Sequence, residues 1–278
     1  VQENLEFRGD FTNNHIINNA RALYIGGYLA GNQESMAIAR EILRITSSKY
    51  FSPSGFLREG SSHYHILICR HFLECFWFAK KSSDMILQEY LGEFMVRSVQ
   101  ASSFFLDAPE FPSIGDVAPD TEPEFHLGLI DGAEYILGRI VKADGRISRI
   151  SRGWNQLFSE QEECIPKLAL THNYGKSILA YPDAGYYRIR IGPYLLFIYV
   201  MPLNYVPAWS HGHADVGGFL LYWGNQLVLI DSGRSTYLNN EWGQYGRSVR
   251  SHNSISIDNK EPCVIHGLNA YPEFMEPR

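Results

Sequence analysis

Cysteine is scarce in this 278-residue chain: Cys69, Cys75, Cys164 and Cys263 each stand alone. Without a CxxC pair or a dense cysteine spacing, a thiolate metal knuckle and a disulfide-stapled scaffold are both excluded, and buried free thiols are expected. Positive charge is also sparse, since 24 Lys and Arg against 30 Asp and Glu leave a formal charge of −6, with no basic block. Phosphate neutralisation needs clustered cations, so a general nucleic-acid binder is excluded and any anionic ligand must be met by a local pocket. No apolar run approaches the roughly 18 to 20 residues of a membrane span, and no basic-then-apolar segment opens the chain.

What remains is a globular composition, 45% apolar and 14% aromatic. At about 150 residues per domain the length suggests two domains, and it suffices to bury a core without covalent staples. The aromatics serve a packed core or a sugar-stacking groove equally well. A start at Val1 and an end in "NAYPEFMEPR", with no closing element, are expected of a processed chain or a fragment.

The periodicity divides the chain. Ile16, Ala20, Leu23, Tyr24, Gly27 and Tyr28 recur at spacings of three and four, as do Met36, Ala39, Ile42, Leu43 and Thr46, so two helices are expected. "SPSG" at Ser52–Gly55 breaks the pattern before a longer helix from about Ser61 to Lys80 with a Tyr64, Ile68, His71 and Cys75 stripe. Ser83 and Asp84 cap the next helix, carrying Leu87, Tyr90, Leu91 and Phe94, and another is expected near Phe125–Val141, after a Pro-rich loop. Beyond about Cys164 the period becomes two: Tyr187, Ile189 and Ile191 alternate with Arg188 and Arg190, "YLLFIYVM" follows, and Gly224-Asn225 joins two runs as a hairpin. Ser254–Asp258 reads as the start of a further strand. Helices first and strands afterwards argue α+β with segregated layers rather than a Rossmann or TIM architecture.

Chemistry-bearing residues concentrate in "WSHGHADVGGFLLYWGNQLVLIDSG". His211 and His213, two apart on a strand-like segment, point to one face and can meet a common target. Asp231 ends the paired strand and His252 follows in "RSHNSISID", so His213, Asp231 and His252 together offer an N, O, N set that suits zinc. Hydrogen-bonded or solvent-facing histidines explain the HxH pair as well. On the helical side, Asn14, His15 and Asn18 stand at a helix start, where Asn commonly caps. "FLREGSSHYH" gathers Arg58, Glu59, His63, Tyr64 and His65 at the mouth of the long helix, as a cleft rim or as a solvated helix entrance.

Taken in order, "NNHIINNARAL", "FLREGSSHYH", "PSIGD", "HGHAD…LVLIDSG" and "RSVRSHNSISID" resemble the heparinase II/III-like polysaccharide lyases over nearly the whole chain. That resemblance implies part of a helical (α/α) toroid over residues 1–160 followed by an antiparallel β-sandwich over 161–278, both incomplete, as the middle of a longer protein. It implies β-elimination on an acidic, uronate-containing polysaccharide. By residue-for-residue match, Asn14 and His15 neutralise the uronate carboxylate, and Tyr64 and His211 form the acid/base pair. At the rim of the cleft Arg58, Glu59, His63 and Arg247 are expected to bind substrate, and Arg58 or Arg247 to ease Tyr64 towards its anion. The resemblance also makes zinc on His213, Asp231 and His252 structural. It favours a periplasmic or extracellular setting and leaves the oligomeric state open. Asn18 departs from relatives that carry an acidic residue there. Two other readings compete. A zinc hydrolase is suggested because "HGHAD" resembles the HxHxDH signature of the metallo-β-lactamase fold, although Val216 replaces its last His. A glycan-binding protein of the same fold without turnover is the other.

Overall fold

A computed structural model of the chain describes residues 4–7, 12–106, 108–117, 176–200, 211–265 and 272–274. Four helices come first: α1 (His15–Ala30), α2 (Gln33–Lys49), α3 (Ser62–Lys81) and α4 (Met85–Leu106). All of the residues assigned to the apolar stripe of α2 are buried, and in α1 only Tyr28 of the expected stripe is partly open. Asn32 caps α2 by accepting from Ser35 N at 3.0 Å, Ser61 caps α3 by accepting from Tyr64 N at 3.1 Å, and Asp84 accepts from Leu87 N at 3.2 Å at the start of α4. In α4, Leu87, Leu91 and Phe94 are buried, but Tyr90 is exposed because the buried stripe runs on through Met95 and Ser98 instead. The expected helix at 125–141 and the boundary near 160 lie outside the described residues.

The strands β1 (Ser177–Tyr181), β2 (Tyr186–Ile191), β3 (Tyr194–Tyr199), β4 (Gly218–Trp223) and β5 (Gln226–Leu229) pair antiparallel in chain order as a five-stranded meander. The expected hairpin is there, with Gly224 at φ +58°. Leu195, Phe197 and Tyr199 of β3, with Leu220 and Tyr222 of β4, form the buried face. Phe104 at the end of α4 meets Phe197 edge-to-face at 5.3 Å, and Phe56 packs on Tyr186 at 4.8 Å, so helices and sheet share one aromatic core. The register pairs Arg188 with Phe197 and Arg190 with Leu195, so the arginines of β2 share the buried face. Arg188 is tied there by donating to the carbonyl of Phe104 at 3.2 Å, and Ile191 is exposed.

A short helix, α5 (Glu241–Tyr245), and a 3₁₀ turn (Val249–Ser251) follow β5. The strand expected from Ser254 is instead a single bridge between Ile257 and Lys260, closed by Asp258 and Asn259 at φ +52° and +55°. Two successive left-handed residues fold the chain back at once, and Ile255 and Ile257 stay exposed. β6 (Cys263–Ile265) and β7 (Pro272–Phe274) form a separate antiparallel pair. Cys69 and Cys75 are buried free thiols, as expected.

Backbone hydrogen bonds join the two halves at His211. His211 N donates to Glu59 O at 3.1 Å and Asp116 N donates to His211 O at 2.7 Å, while within the helical half Ser62 N donates to Ile114 O at 3.0 Å and fixes the loop that carries Asp116. Gly115, at φ +67°, sits where a Cβ would lie 2.2 Å from Gly60 O and 2.6 Å from His211 O. Both the left-handed conformation and the space demand glycine. Gly115→Ala is therefore expected to destabilise the fold by about 3 kcal/mol in denaturant titration, because backbone rather than a flexible side chain must give way.

Candidate active site

The N-terminal turn of α3 presents Tyr64 towards the segment that leads into β4. There the Tyr64 and His211 rings stack, with centroids 3.4 Å apart and planes 10° from parallel. Tyr64 is partly open to solvent, while His211 is 8% exposed. The Tyr64 hydroxyl meets that of Tyr237 at 3.3 Å, and the Arg234 guanidinium lies 4.2 Å over the Tyr237 ring. Burial pushes the Tyr64 phenol up; the Tyr237 hydrogen bond and Arg234 oppose this, while Asp116 and Glu59 reinforce it. Tyr64 is thus a protonated phenol at neutral pH, a donor rather than a ready base. The cation that acts on it is Arg234 rather than the expected Arg58 or Arg247, and Arg58 Nε donates to Phe51 O at 3.1 Å.

Asp116, 1% exposed, organises the other side. Its Oδ2 meets His211 Nδ1 at 3.1 Å and accepts from Arg234 Nη1 at 2.9 Å, while its Oδ1 meets His213 Nε2 at 2.8 Å. Burial alone would raise this carboxyl; the histidine hydrogen bonds and charges hold it well below the usual carboxylate range. The common target of the HxH pair is therefore a carboxylate. Residues 211–217 are irregular rather than extended, and the two rings reach Asp116 through different nitrogens.

Asn14 is 6% exposed, and its backbone N–H donates to Glu59 Oε1 at 2.8 Å. Its side chain does not cap α1: its own backbone is already helical, and Asn13 Oδ1 accepts from His15 N at 3.1 Å. The Asn14 side-chain oxygen is buried without a hydrogen-bond partner. Glu59, fully buried, places Oε2 3.7 Å from His211 Nε2 and so links Asn14 to the ring pair. His15 does not join this cluster. Successive helix positions diverge by about 100°, and His15 turns outward with exposed Asn18 to pair with Glu6 at 2.8 Å.

Of the expected substrate binders, Glu59, His63 and Arg247 are buried, and Arg58 is turned towards Phe51. They are parts of the wall rather than its lining, because α3 begins inside the joint between the halves. Burial lowers the Arg247 guanidinium and Arg234 lowers it further, while Asp116 opposes. His65, next to Tyr64, is a core residue: its Nδ1 accepts from Leu57 N at 3.1 Å, and burial pushes it down to about 3.

Beside the ring pair, Asp215, Asp231 and His252 bring one donor atom each within 4.8 Å of one another. His252 Nδ1 meets Asp231 Oδ2 at 2.7 Å, and the His213 ring lies 5.1 Å from that of His252. The group thus holds two of the expected trio together with Asp215, while His213 stands beside it, its ring next to that of His252 and its Nε2 on Asp116. Asp215 is held by the tight turn in which Gly218 N donates to its carbonyl. Burial pushes its carboxyl up to about 6, and the histidines oppose this. Burial lowers His252, but Asp231 and Asp215 outweigh it and the net shift is upward. His213 Nδ1, Asp215 Oδ1 and His252 Nε2 are all buried without a hydrogen-bond partner. One imidazole and two carboxylates brought together, with unpartnered atoms on Asp215 and His252, fit a divalent cation with mixed N and O preference, as zinc has.

Sequence reasoning missed roles for Asp116, Asp215, Arg234 and Tyr237. Asp116 stood in the "PSIGD" motif, and Asp215 two places after His213. Arg234 and Tyr237 lie in an irregular loop after β5, for which periodicity gives no direction.

The Heparinase II/III-like, C-terminal family model matches residues 174–277. An exo-oligoalginate lyase from Saccharophagus degradans is 27% identical over 257 residues, 84% of this chain and 34% of that protein. The crystal structure of heparinase III superposes with a TM-score of 0.63 at 19% identity, over 92% of this chain and 41% of its own. For heparan sulfate lyase HepC from Pedobacter heparinus the TM-score is 0.59 at 17% identity, over 90% of this chain and 38% of its own. The chain spans about a third of the length of the alginate lyase and about two fifths of these solved structures. It shares their fold, a helical segment followed by an antiparallel sheet. Over residues 174–277, the chain is thus similar to the C-terminal domain of the heparinase II/III-like proteins.

Proposed function

We propose that this chain carries the catalytic joint of a polysaccharide lyase that cleaves an acidic, uronate-containing polysaccharide by β-elimination. The observation that carries the reading is the stacked Tyr64–His211 pair, one ring from each half of the fold, with His211 Nε2 lacking a hydrogen-bond partner. Names of relatives, an exo-oligoalginate lyase and a heparan sulfate lyase, support the substrate class.

In this reading Asn14 donates to the uronate carboxylate and disperses the charge that develops when the C5–H bond breaks. His211 Nε2 takes the C5 proton, and the resulting imidazolium lies between Asp116 and Glu59. The C5–H electrons form the C4=C5 bond as the C4–O4 bond breaks, and the Tyr64 phenol protonates the departing O4. His15 has no part in this scheme, being engaged with Glu6. Zinc on His213, Asp231 and His252, with Asp215 as a further donor, is proposed as structural, holding the segment that bears His211.

The test is a panel of alginates, glycosaminoglycans and bacterial acidic polysaccharides incubated with the protein while ultraviolet absorbance is followed. Appearance of a 4,5-unsaturated uronate is the expected result. Saturated new ends identify a hydrolase, and bound but intact polymer identifies a glycan-binding protein.

A further inference from the structure

One carboxylate touches both functional histidines, and it touches them through opposite nitrogens. Asp116 meets Nδ1 of His211 and Nε2 of His213. The nitrogens left over are His211 Nε2, which lies 3.7 Å from Glu59 Oε2, beyond hydrogen-bond distance, and His213 Nδ1; both are buried without a hydrogen-bond partner. An imidazole that donates from one nitrogen presents a lone pair on the other, so a hydrogen bond on one edge decides what the opposite edge can do.

We propose that Asp116 is a positioning residue that fixes both tautomers at once, keeping His211 protonated on Nδ1 with Nε2 bare for the substrate proton, and His213 protonated on Nε2 with Nδ1 bare for the metal. This rests on the reading of His211 as base and His213 as ligand, and adds what makes the two compatible. Arg234 enforces it: guanidinium can only donate, so the Oδ2 that it shares with His211 must accept. With Oδ2 occupied as an acceptor, His211 Nδ1 has to bring its own proton. Oδ1 faces His213 Nε2, and that ring cannot bind a cation through Nδ1 unless its proton sits on Nε2. The backbone of Asp116 holds the carboxylate in place, its N–H on His211 O and its carbonyl accepting from Ser61 Oγ at 2.6 Å.

Asp116→Asn separates the two duties. The amide has one acceptor, which Arg234 draws to the Oδ2 side, so its NH₂ faces His213 Nε2. That ring must then bare Nε2 and carry its proton on Nδ1, against the metal. The expected result is a fall of about tenfold or more in zinc affinity, measured by chelator competition, while His211 keeps its tautomer. Both rings are read directly by nitrogen-15 NMR of histidine-labelled protein, with signals assigned through His211→Gln and His213→Gln. The wild-type spectrum decides even if the Asn variant does not fold: Nδ1–H on His211 and Nε2–H on His213 support the proposal, and either ring in the other tautomer overturns it. Unchanged zinc affinity in a folded Asn variant also overturns it. Failure of the lyase reading is distinguishable, because it is read as missing unsaturated product while the tautomers stand as stated.

Discussion

Tyr64→Phe will reduce turnover on the substrate polymer by about 10² to 10⁴-fold while leaving KM nearly unchanged. The substitution removes one hydroxyl and keeps the ring that stacks on His211 at 3.4 Å. Binding through the stacked face and through Asn14 therefore survives, whereas O4 must leave as an unprotonated alkoxide. The size of the loss depends on Tyr64 being the donor, and its surroundings favour that role: burial and the nearby Asp116 and Glu59 carboxylates keep the phenol protonated. Its hydroxyl partner Tyr237, at 3.3 Å, is itself pushed far up by burial and by Asp116, so it does not draw the proton away. A kcat within threefold of wild type in Tyr64→Phe, on a polymer that yields unsaturated product, would remove Tyr64 from the chemistry.

The helical half was legible because its stripes are long. Five residues of α2 at three- and four-residue spacings admit one buried face, and "SPSG" marks the break before α3 in chemical terms. The sheet half was legible in period but not in side. β2 alternates isoleucine with arginine, and hydropathy alone would turn Ile189 and Ile191 inward; the register with β3 puts Arg188 opposite Phe197 instead. Arginine tolerates that face because its guanidinium lies over the Phe104 ring at 5.6 Å and donates to the Phe104 carbonyl. At the site, sequence order found the right segments and could not find the pairings among them. His211 and His213 read as a common-target pair, which they are, but the target is a carboxylate 95 and 97 residues earlier. A spacing of two says that neighbours can share a target and says nothing of what a distant loop brings to them. His15 shows the same limit: adjacency to Asn14 in sequence means divergence on a helix.

His252→Ala will abolish stoichiometric zinc and lower the unfolding free energy by about 3 to 5 kcal/mol, and chelation of the wild type will lower its melting temperature in the same direction. His252 has a fully buried side chain, donates to Asp231 at 2.7 Å and lies in the donor group with Asp215. Removing the imidazole leaves two carboxylates in one buried place with neither their hydrogen-bond donor nor a cation. Each must then be desolvated against the other's charge, which is the costly way to break a buried pair. The loss should spread to the active site, because Asn253 and Ser254, the next residues, tie this turn to β4: Asn253 Nδ2 donates to Phe219 O at 3.1 Å and Ser254 Oγ donates to Val216 O at 2.8 Å. The segment from His211 to Val216 would then lose a support on the metal side while keeping its Glu59 and Asp116 backbone bonds. Turnover is accordingly expected to fall less steeply than in Tyr64→Phe, and substrate affinity less than stability. Metal analysis of purified wild type, beside thermal melts with and without chelator, tests the role directly: no stoichiometric zinc together with an unchanged melt would make Asp215, Asp231 and His252 a polar cluster held by its own hydrogen bonds.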